Sequence, residues 1–212
     1  MIQIAPLPLT PYAEALKLQE DAVAEVLAGG PERAYFVEHP PCFTTGSSAS
    51  PSELLNVGDI PVIPTGRGGK TTYHGPGQRV VYVIKDLRQS KDLRAYIASL
   101  QQWLISSLAE LGVEAFTTDD VGVWVEQAAG SRQQGAGKIA AIGVRVHKWV
   151  AYHGVALNVN PDLTAYQRII PCGLAKPVTS LHALGVKATM QEVDEVLVKT
   201  LARQFQGFGA QK

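Results

Sequence analysis

Two residues, Cys172 and Lys138, could act together in nucleophilic chemistry, the first as the nucleophile and the second as a cation beside it. Cys172 stands between Pro171 and Gly173, which hold it in a tight, non-helical turn where its sulfur can be presented. A free thiol has a pKa of about 8.5, so a catalytic cysteine needs a nearby cation or base to favour the thiolate. Lys138 is the best cationic candidate. The alternative interpretations are a cysteine buried as a small apolar residue and a lysine in solvent.

Two glycine-rich segments could bind a ligand. Residues 67–78 combine four glycines with several donor side chains ahead of a strand, so that backbone N–H groups could approach a ligand closely. This segment is not a phosphate loop, because Pro64 occupies a required glycine position and no helix follows. Residues 135–143 match a dinucleotide pattern but lack its strand-to-helix junction. The first segment predicts a binding loop or a surface turn, and the second leaves room for an extended apolar ligand.

A histidine opens a third segment of interest, residues 153–159, which has the pattern of a strand with small residues at its start. His153 could be a core histidine with satisfied ring nitrogens, or it could have a direct chemical role. The sequence leaves both interpretations open.

Composition excludes several classes of protein. The 212 residues are 46% hydrophobic, which is enough for a sizeable core, and 19 basic residues balance 19 acidic ones. This balance gives no broad attraction to nucleic acid or to an anionic membrane. No apolar run approaches the ~20 residues that span a bilayer, and the first residues lack a secretory pattern, so we expect a cytoplasmic protein. Two distant cysteines without metal-ligand spacing argue against a disulfide framework and against a zinc site.

Hydrophobic periodicity predicts three helices that must position these segments. The first begins at Thr10 and Pro11 and ends at Gly29, the second runs from Leu93 to Gly112, and a capping box at Thr189 opens the third. The predicted strands are residues 33–38, 80–84, 121–125, 139–146, 149–152 and 155–159, and residues 44–58 are predicted as polar loop. The prediction is one α+β domain over residues 1–212, with a mainly antiparallel sheet flanked by helices.

Five segments, taken in order, resemble the lipoyl(octanoyl) transferase family of lipoate biosynthesis. They are RGGKTTYHGPGQ, GVWV, GKIAAIGVRV, HGVALNV and IIPCGL followed by VTSL, and the match spans roughly residues 33–181. The resemblance implies the biotin/lipoate protein ligase-like α/β fold, which agrees with the predicted sheet and helices. Cys42 departs from the family, which usually has an aliphatic residue there, and Asp119 and Asp120 make their stretch more acidic than usual.

The resemblance implies a two-step acyl transfer. Cys172 would attack the octanoyl thioester of acyl carrier protein, and a lysine of a lipoyl domain would then take the acyl group as an amide. Lys138 matches the family lysine, whose charge would favour the thiolate or steady an oxyanion, and whose amine could relay a proton. No cofactor, metal or ATP is implied, because thioester exchange is nearly neutral and amide formation is downhill.

The resemblance also implies partners and a binding site. The acceptors would be lipoyl domains of 2-oxoacid dehydrogenase E2 subunits and the glycine cleavage H protein. His74 and His153 would shape the site, with a secondary chance of proton transfer. The implied substrate-binding residues are Arg67, Gly68, Gly69, Lys70, Thr71, Thr72, Tyr73, His74, Ala141, Ile142, Gly143, Gly154, Val155 and Ala156.

Three rival interpretations remain at this point. A lipoate- or biotin-protein ligase would share the fold but would activate a free acid with ATP and need no cysteine. An amidotransferase that moves octanoyl between two lipoyl-type proteins would keep the cysteine and change only the donor. A non-catalytic module that binds an acyl group or a carrier protein would leave Cys172 merely buried.

Overall fold

The computed structural model describes residues 2–126, 135–170 and 177–206. Its helices are α1 (Tyr12–Leu27), α2 (Leu93–Glu110) and α3 (Met190–Phe205). Its strands are β1 (Gln3–Leu9), β2 (Arg33–Glu38), β3 (Cys42–Thr45), β4 (Val62–Pro64), β5 (Thr72–His74), β6 (Gln78–Asp86), β7 (Val123–Glu126), β8 (Ala136–His147) and β9 (Val150–Asn158). No helix in the described part of the chain is both long and apolar enough to cross a membrane.

The strands form a large sheet and a small one. The large sheet has the order β1-β2-β6-β9-β8-β7, and the small sheet has the order β4-β3-β5. Pairing is antiparallel except between β1 and β2 and between β3 and β4. The prediction of a mainly antiparallel sheet flanked by helices is therefore confirmed.

Side-chain alternation in the central strands separates two apolar layers. Val81 and Val83 of β6 point to the face covered by α2 and α3, whereas Val80 and Tyr82 point to the face covered by α1. Trp103 joins the two helices of the first face, because its Nε1 donates to the backbone oxygen of Leu197 at 3.0 Å. The small sheet adjoins the α1 face, because Cys42 of β3 and Ile63 of β4 pack in the same cluster.

The three helices are where the periodicity predicts them, but the start of α1 differs from the prediction. Pro11 occupies the N-cap position, and no side chain caps the helix. The Thr10 hydroxyl instead donates to the carbonyl oxygen of Pro8 at 2.8 Å. Thr189 does form the predicted capping box with Glu192 at the start of α3.

Several strands differ from the sequence prediction. β1 was not predicted because it contains Pro6 and Pro8, which are tolerated at the edge of a sheet. β4 and β5 have three residues each, too few to show an alternating pattern. Residues 44–58 are not all loop, since β3 extends to Thr45 and a 3-10 turn occupies Pro51–Glu53. The strands predicted at 149–152 and 155–159 form one strand, β9.

Candidate active site

A cavity of about 270 Å³ lies between the α1 face of the large sheet and the small sheet. Its volume is close to the lower end of the ~300–1,000 Å³ that ligand sites commonly have. Neighbouring strands supply its floor in rows: Val80, Ala156 and Ala141 pair across β6, β9 and β8, and the next row pairs Tyr82 with Gly154 and Gly143. These small and apolar residues make a narrow slot.

The slot has an open end and a buried end. Val121, whose oxygen accepts from Nζ of Lys138, lines the open end and is 48% exposed. Tyr82 and His153 line the buried end and are 4% and 1% exposed. An elongated ligand would therefore enter past Val121 and reach Tyr82 and His153.

Most of the predicted binding residues line this slot. Those that do so are Arg67, Gly69, Lys70, Thr72, His74, Ala141, Ile142, Gly143, Gly154, Val155 and Ala156, together with Lys138 and His153. Gly68, Thr71 and Tyr73 are not among the lining residues. Gly68 N–H donates to the oxygen of Val144, Thr71 N–H donates to Glu53, and Tyr73 packs on Phe43, so these three support the slot from behind. Cys172 lies outside the described residues.

Lys138 is a buried lysine and not a solvated one, since it is only 8% exposed. Its Nζ donates to the backbone oxygen of Val121 at 2.8 Å and lies 5.4 Å from the centroid of the Trp124 ring. β8 carries one extra residue where Lys138 and Ala140 pair with adjacent residues of β7, and such a bulge re-aims the side chains beside it. The strand irregularity thus turns the ammonium group towards the slot.

Gly122 leaves the space through which the Lys138 side chain passes. A Cβ at this position would overlap Cε of Lys138 and lie 3.0 Å from its Nζ. The glycine also has φ +145°, which residues with side chains rarely adopt. Sequence reasoning used the GVWV segment that contains Gly122 for a predicted strand and for the family resemblance, and gave this glycine no role.

Arg67 connects the small sheet to the large one. Its guanidinium, 8% exposed, donates to the oxygen of Thr44 at 2.9 Å, to the Thr44 hydroxyl at 2.8 Å and to the oxygen of Gly68 at 3.1 Å. A Cβ on Gly143 would lie 2.9 Å from Cδ of Arg67. The arginine therefore occupies the space that the absence of a side chain at Gly143 leaves over β8.

His74 is held in one tautomer by a chain of hydrogen bonds. The Gln78 amide nitrogen donates to Asn158 Oδ1 at 2.9 Å, so its oxygen, 2.7 Å from Nδ1 of His74, accepts the histidine proton. The other ring nitrogen then accepts from the Thr44 hydroxyl at 3.2 Å. Burial, aided by His39, lowers the pKa of His74 to about 3, so the ring is neutral at physiological pH.

Sequence reasoning missed three residues behind and beside the slot, Tyr12, His39 and Tyr82. His39 donates from Nδ1 to the oxygen of Thr10 at 2.6 Å and accepts the Tyr82 hydroxyl proton at Nε2, also at 2.6 Å. Tyr12 and Tyr82 line the slot itself. The sequence offered Tyr12 only as part of a helical stripe and His39 only as the end of a strand, because their contacts join distant segments.

His153 and Cys42 are both deeply buried, with different consequences. His153 adopts φ +59°, and burial together with the charges of Arg67 and Arg145 lowers its pKa to about 3. Cys42 packs in the core between α1 and the large sheet, 3% exposed, and burial raises the pKa of its thiol to about 12. A thiol in that state is a poor nucleophile at neutral pH.

Solved structures of similar shape define the class of fold. The chain superposes on a bipartite lipoate protein ligase of Thermoplasma acidophilum with a TM-score of 0.75 and 17% identity, covering 96% of this chain and 83% of that one. It superposes on the biotin protein ligase of Aquifex aeolicus with a TM-score of 0.61 and 13% identity, covering 100% of this chain and 74% of that one. The fold is therefore that of the lipoate and biotin protein ligases, as predicted.

Sequence comparison defines the family. Residues 11–202 match the family model of the lipoyl protein ligase A/B catalytic domain. The octanoyltransferase of Rickettsia canadensis is 48% identical over 204 residues, covering 93% of this chain and 96% of that one. The octanoyltransferase of Paramagnetospirillum magneticum is 47% identical over 198 residues, covering 92% of each chain. The chain belongs to the octanoyltransferase family and is an acyltransferase, so the rival interpretation as a non-catalytic module is wrong.

We expect the substitution Gly122→Ala to reduce acyl transfer by about 10²-fold, because a methyl group would displace the Lys138 ammonium and small misplacements at active sites have costs of this size. Steady-state transfer rates and thermal unfolding would be measured together. Gly112→Ala is the matched control: Gly112 also has positive φ, +77°, but nothing lies within 4 Å of an added Cβ. It should lose about 1 kcal/mol of stability and keep its activity. Equal activity of the two variants would contradict the role given to Gly122.

The free energy of unfolding should decrease as the pH is lowered, because His74 and His153 are buried in their neutral forms. Their pKa values of about 3 in the folded state lie below the ordinary value of 6.5, so between these limits the unfolded chain binds more protons. Their contribution to stability is complete above pH 6.5 and is lost progressively as the pH falls towards 3. Urea unfolding from about pH 7.5 to about pH 5.5 should show a falling midpoint. Histidine NMR signals, assigned with His153→Asn, should show no protonation of either ring in that range, and a titration near 6.5 would contradict the burial argument.

Proposed function

We propose that this enzyme moves an octanoyl group from acyl carrier protein to a specific lysine of a lipoyl domain, through a thioester on Cys172. The observation that carries the proposal is the position of Lys138 relative to the chain that follows the cysteine. The backbone N–H of Lys138 donates to the backbone oxygen of Pro177 at 2.8 Å, and the backbone N–H of Thr179 donates to the backbone oxygen of Lys138 at 3.0 Å. Pro177 is only five residues after Cys172, which favours a thiol close to the ammonium group.

The slot suits the proposed acyl group. Its floor of Val80, Ala141 and Ala156 is apolar and lacks bulky side chains. A saturated chain would lie along the strands with its carbonyl carbon at the open end, where Nζ of Lys138 donates to the oxygen of the exposed Val121. Burial of the chain against these residues would supply binding energy of about 0.8 kcal/mol for each methylene.

The Lys138 charge would serve both half-reactions. In the first, the Cys172 thiolate attacks the carbonyl carbon of the donor thioester, and the carrier thiol leaves as thiolate and takes up a proton. In the second, the acceptor amine attacks the new thioester, loses a proton and expels the Cys172 thiolate. A cation beside the sulfur favours the thiolate that both steps require, and it can stabilise the oxyanion between them.

Cys42 is not a competing nucleophile. It lies on β3 among the side chains that α1 covers, and its pKa of about 12 keeps it protonated. The proposal therefore assigns the covalent step to Cys172 and packing to Cys42.

The ligase interpretation has less support. The solved lipoate and biotin ligases share only the fold with this chain, at 11–18% identity, whereas relatives at 47–50% identity are octanoyltransferases. The lipoyl domains that would accept the octanoyl group are those of 2-oxoacid dehydrogenase E2 subunits and of the glycine cleavage H protein. One of the structural neighbours is described together with its E2 lipoyl domain.

We expect a covalent octanoyl adduct when the protein is mixed with octanoyl-acyl carrier protein alone. Mass spectrometry should locate the adduct on Cys172, and hydroxylamine should remove it because it is a thioester. Cys42→Ser should retain the adduct, whereas Cys172→Ser should lose it. A lipoyl domain carrying octanoyl on its lysine should be tested as an alternative donor in parallel.

Two outcomes would contradict the proposal. An adduct on Cys42, or no adduct until ATP and free octanoate are added, would remove the thioester mechanism. Adduct formation from the octanoylated lipoyl domain, but not from the carrier protein, would identify an amidotransferase instead.

A further inference from the structure

His153 combines two unfavourable features at one position of the large sheet. It adopts φ +59°, in the left-handed region that residues with side chains seldom occupy. It is 1% exposed, and among the described residues neither of its ring nitrogens has a hydrogen-bond partner. A buried neutral imidazole carries one donor and one acceptor, and leaving both unpaired is costly. Such a residue persists in a fold when something else, often function, requires it.

The surrounding structure is arranged to hold this conformation. Gln19 of α1, which is fully buried, accepts the backbone N–H of His153 at 2.8 Å, and its own amide donates to the oxygen of Ala15 at 3.2 Å. The adjacent Gly154 approaches β6 so closely that a Cβ would overlap the oxygen of Val81. The backbone needs of His153 are therefore met by neighbouring elements, while its ring is left without a partner.

The ring lies at the end of the slot remote from Lys138. His153 pairs with Val144 on β8, six residues beyond Lys138, which corresponds to about 20 Å along a strand. The Lys138 side chain, an extended acyl chain of medium length and the imidazole can together bridge that interval. Tyr152 stacks on the ring at 4.9 Å between centroids, and Tyr82 meets it edge-on at 6.1 Å.

The other two histidines near the slot have hydrogen-bond partners at both ring nitrogens. Those of His74 bond to Gln78 and Thr44, and those of His39 bond to Thr10 and Tyr82. These rings are fully used in holding the fold together. His153 also lines the slot, but neither of its ring nitrogens is used in this way among the described residues.

We propose that His153 forms a hydrogen-bonding subsite at the buried end of the slot, which limits the length of a saturated acyl chain and accepts a chain with a terminal hydroxyl group. This inference rests on the proposed function, in which the slot holds the acyl group. A methyl end that reached the ring could not bond to either nitrogen. A hydroxyl at the same place could donate to, or accept from, one of the two nitrogens.

Binding measurements with non-transferable ligands test this subsite without turnover. The probes are ketone analogues of acyl-pantetheine, in which a methylene replaces the thioester sulfur, with octanoyl, decanoyl, dodecanoyl and 8-hydroxyoctanoyl chains. Calorimetry on the full chain should show dodecanoyl binding at least about tenfold more weakly than octanoyl, with 8-hydroxyoctanoyl within about threefold of octanoyl.

Two variants keep the backbone conformation and separate polarity from size. Glycine and asparagine both tolerate positive φ. His153→Gly removes the ring, so dodecanoyl should bind at least as tightly as octanoyl, while 8-hydroxyoctanoyl should weaken about tenfold relative to octanoyl. His153→Asn keeps a hydrogen-bonding group and should retain tolerance of the hydroxyl. His147→Gly, at an exposed position of β8, is the control and should behave as wild type.

Several results would overturn the inference. An unchanged chain-length profile in His153→Gly would show that the ring does not limit length, and an equal hydroxyl penalty in wild type and variant would show that it offers no hydrogen bond. Failure of every probe to bind the wild-type chain would instead show that the slot is not the acyl site, so the proposed function would fail together with the subsite. Transfer of octanoyl, assayed separately, distinguishes these cases.

Discussion

The buried guanidinium of Arg67 is the contact on which the slot depends. Its hydrogen bonds to Thr44 fix the small sheet, and its methylene groups lie over Gly143 of the large sheet, so that one side chain sets the separation of the two walls. Its charge also contributes, after burial, to the low pKa values of His74 and His153. The buried end of the slot therefore holds the neutral ring of His153, whereas Nζ of Lys138 bonds to the exposed Val121 at the open end. That separation suits a ligand whose reacting carbonyl is polar and whose chain is apolar.

Glycines leave space for side chains that line the slot. Gly143 leaves room for Arg67, Gly122 leaves room for Lys138, and Gly154 lets β9 approach β6 beside His153. None of the three could carry even a methyl group without displacing a neighbour. The geometry of the slot thus depends on absent side chains as much as on present ones, and this is why its floor is both narrow and smooth.

Local sequence patterns predict the three helices and the segments that line the slot, but not the contacts between distant parts of the chain. Helical periodicity locates α1, α2 and α3, and the sequence pattern singles out residues 67–78, 135–143 and 153–159, each of which contributes residues to the slot. It could not predict β4 and β5, which are too short to show alternation, or β1, whose prolines disguise an edge strand. It also missed His39 and Tyr82, whose hydrogen bond joins residues 43 positions apart, because nothing local signals such a contact. The unpaired ring of His153 is likewise a property of the fold and not of its neighbours in sequence.

The central claim, that a cysteine thioester carries the acyl group between two proteins, is tested most directly by transfer in the absence of nucleotide. The purified enzyme would be mixed with octanoyl-acyl carrier protein and an unmodified lipoyl domain, without ATP, and the acceptor would be followed by intact-protein and peptide mass spectrometry. We expect one octanoyl group on the single target lysine, formed by wild type and absent with Cys172→Ser. An acceptor that remains unmodified until ATP and free octanoate are supplied, or equal modification by Cys172→Ser, would contradict it.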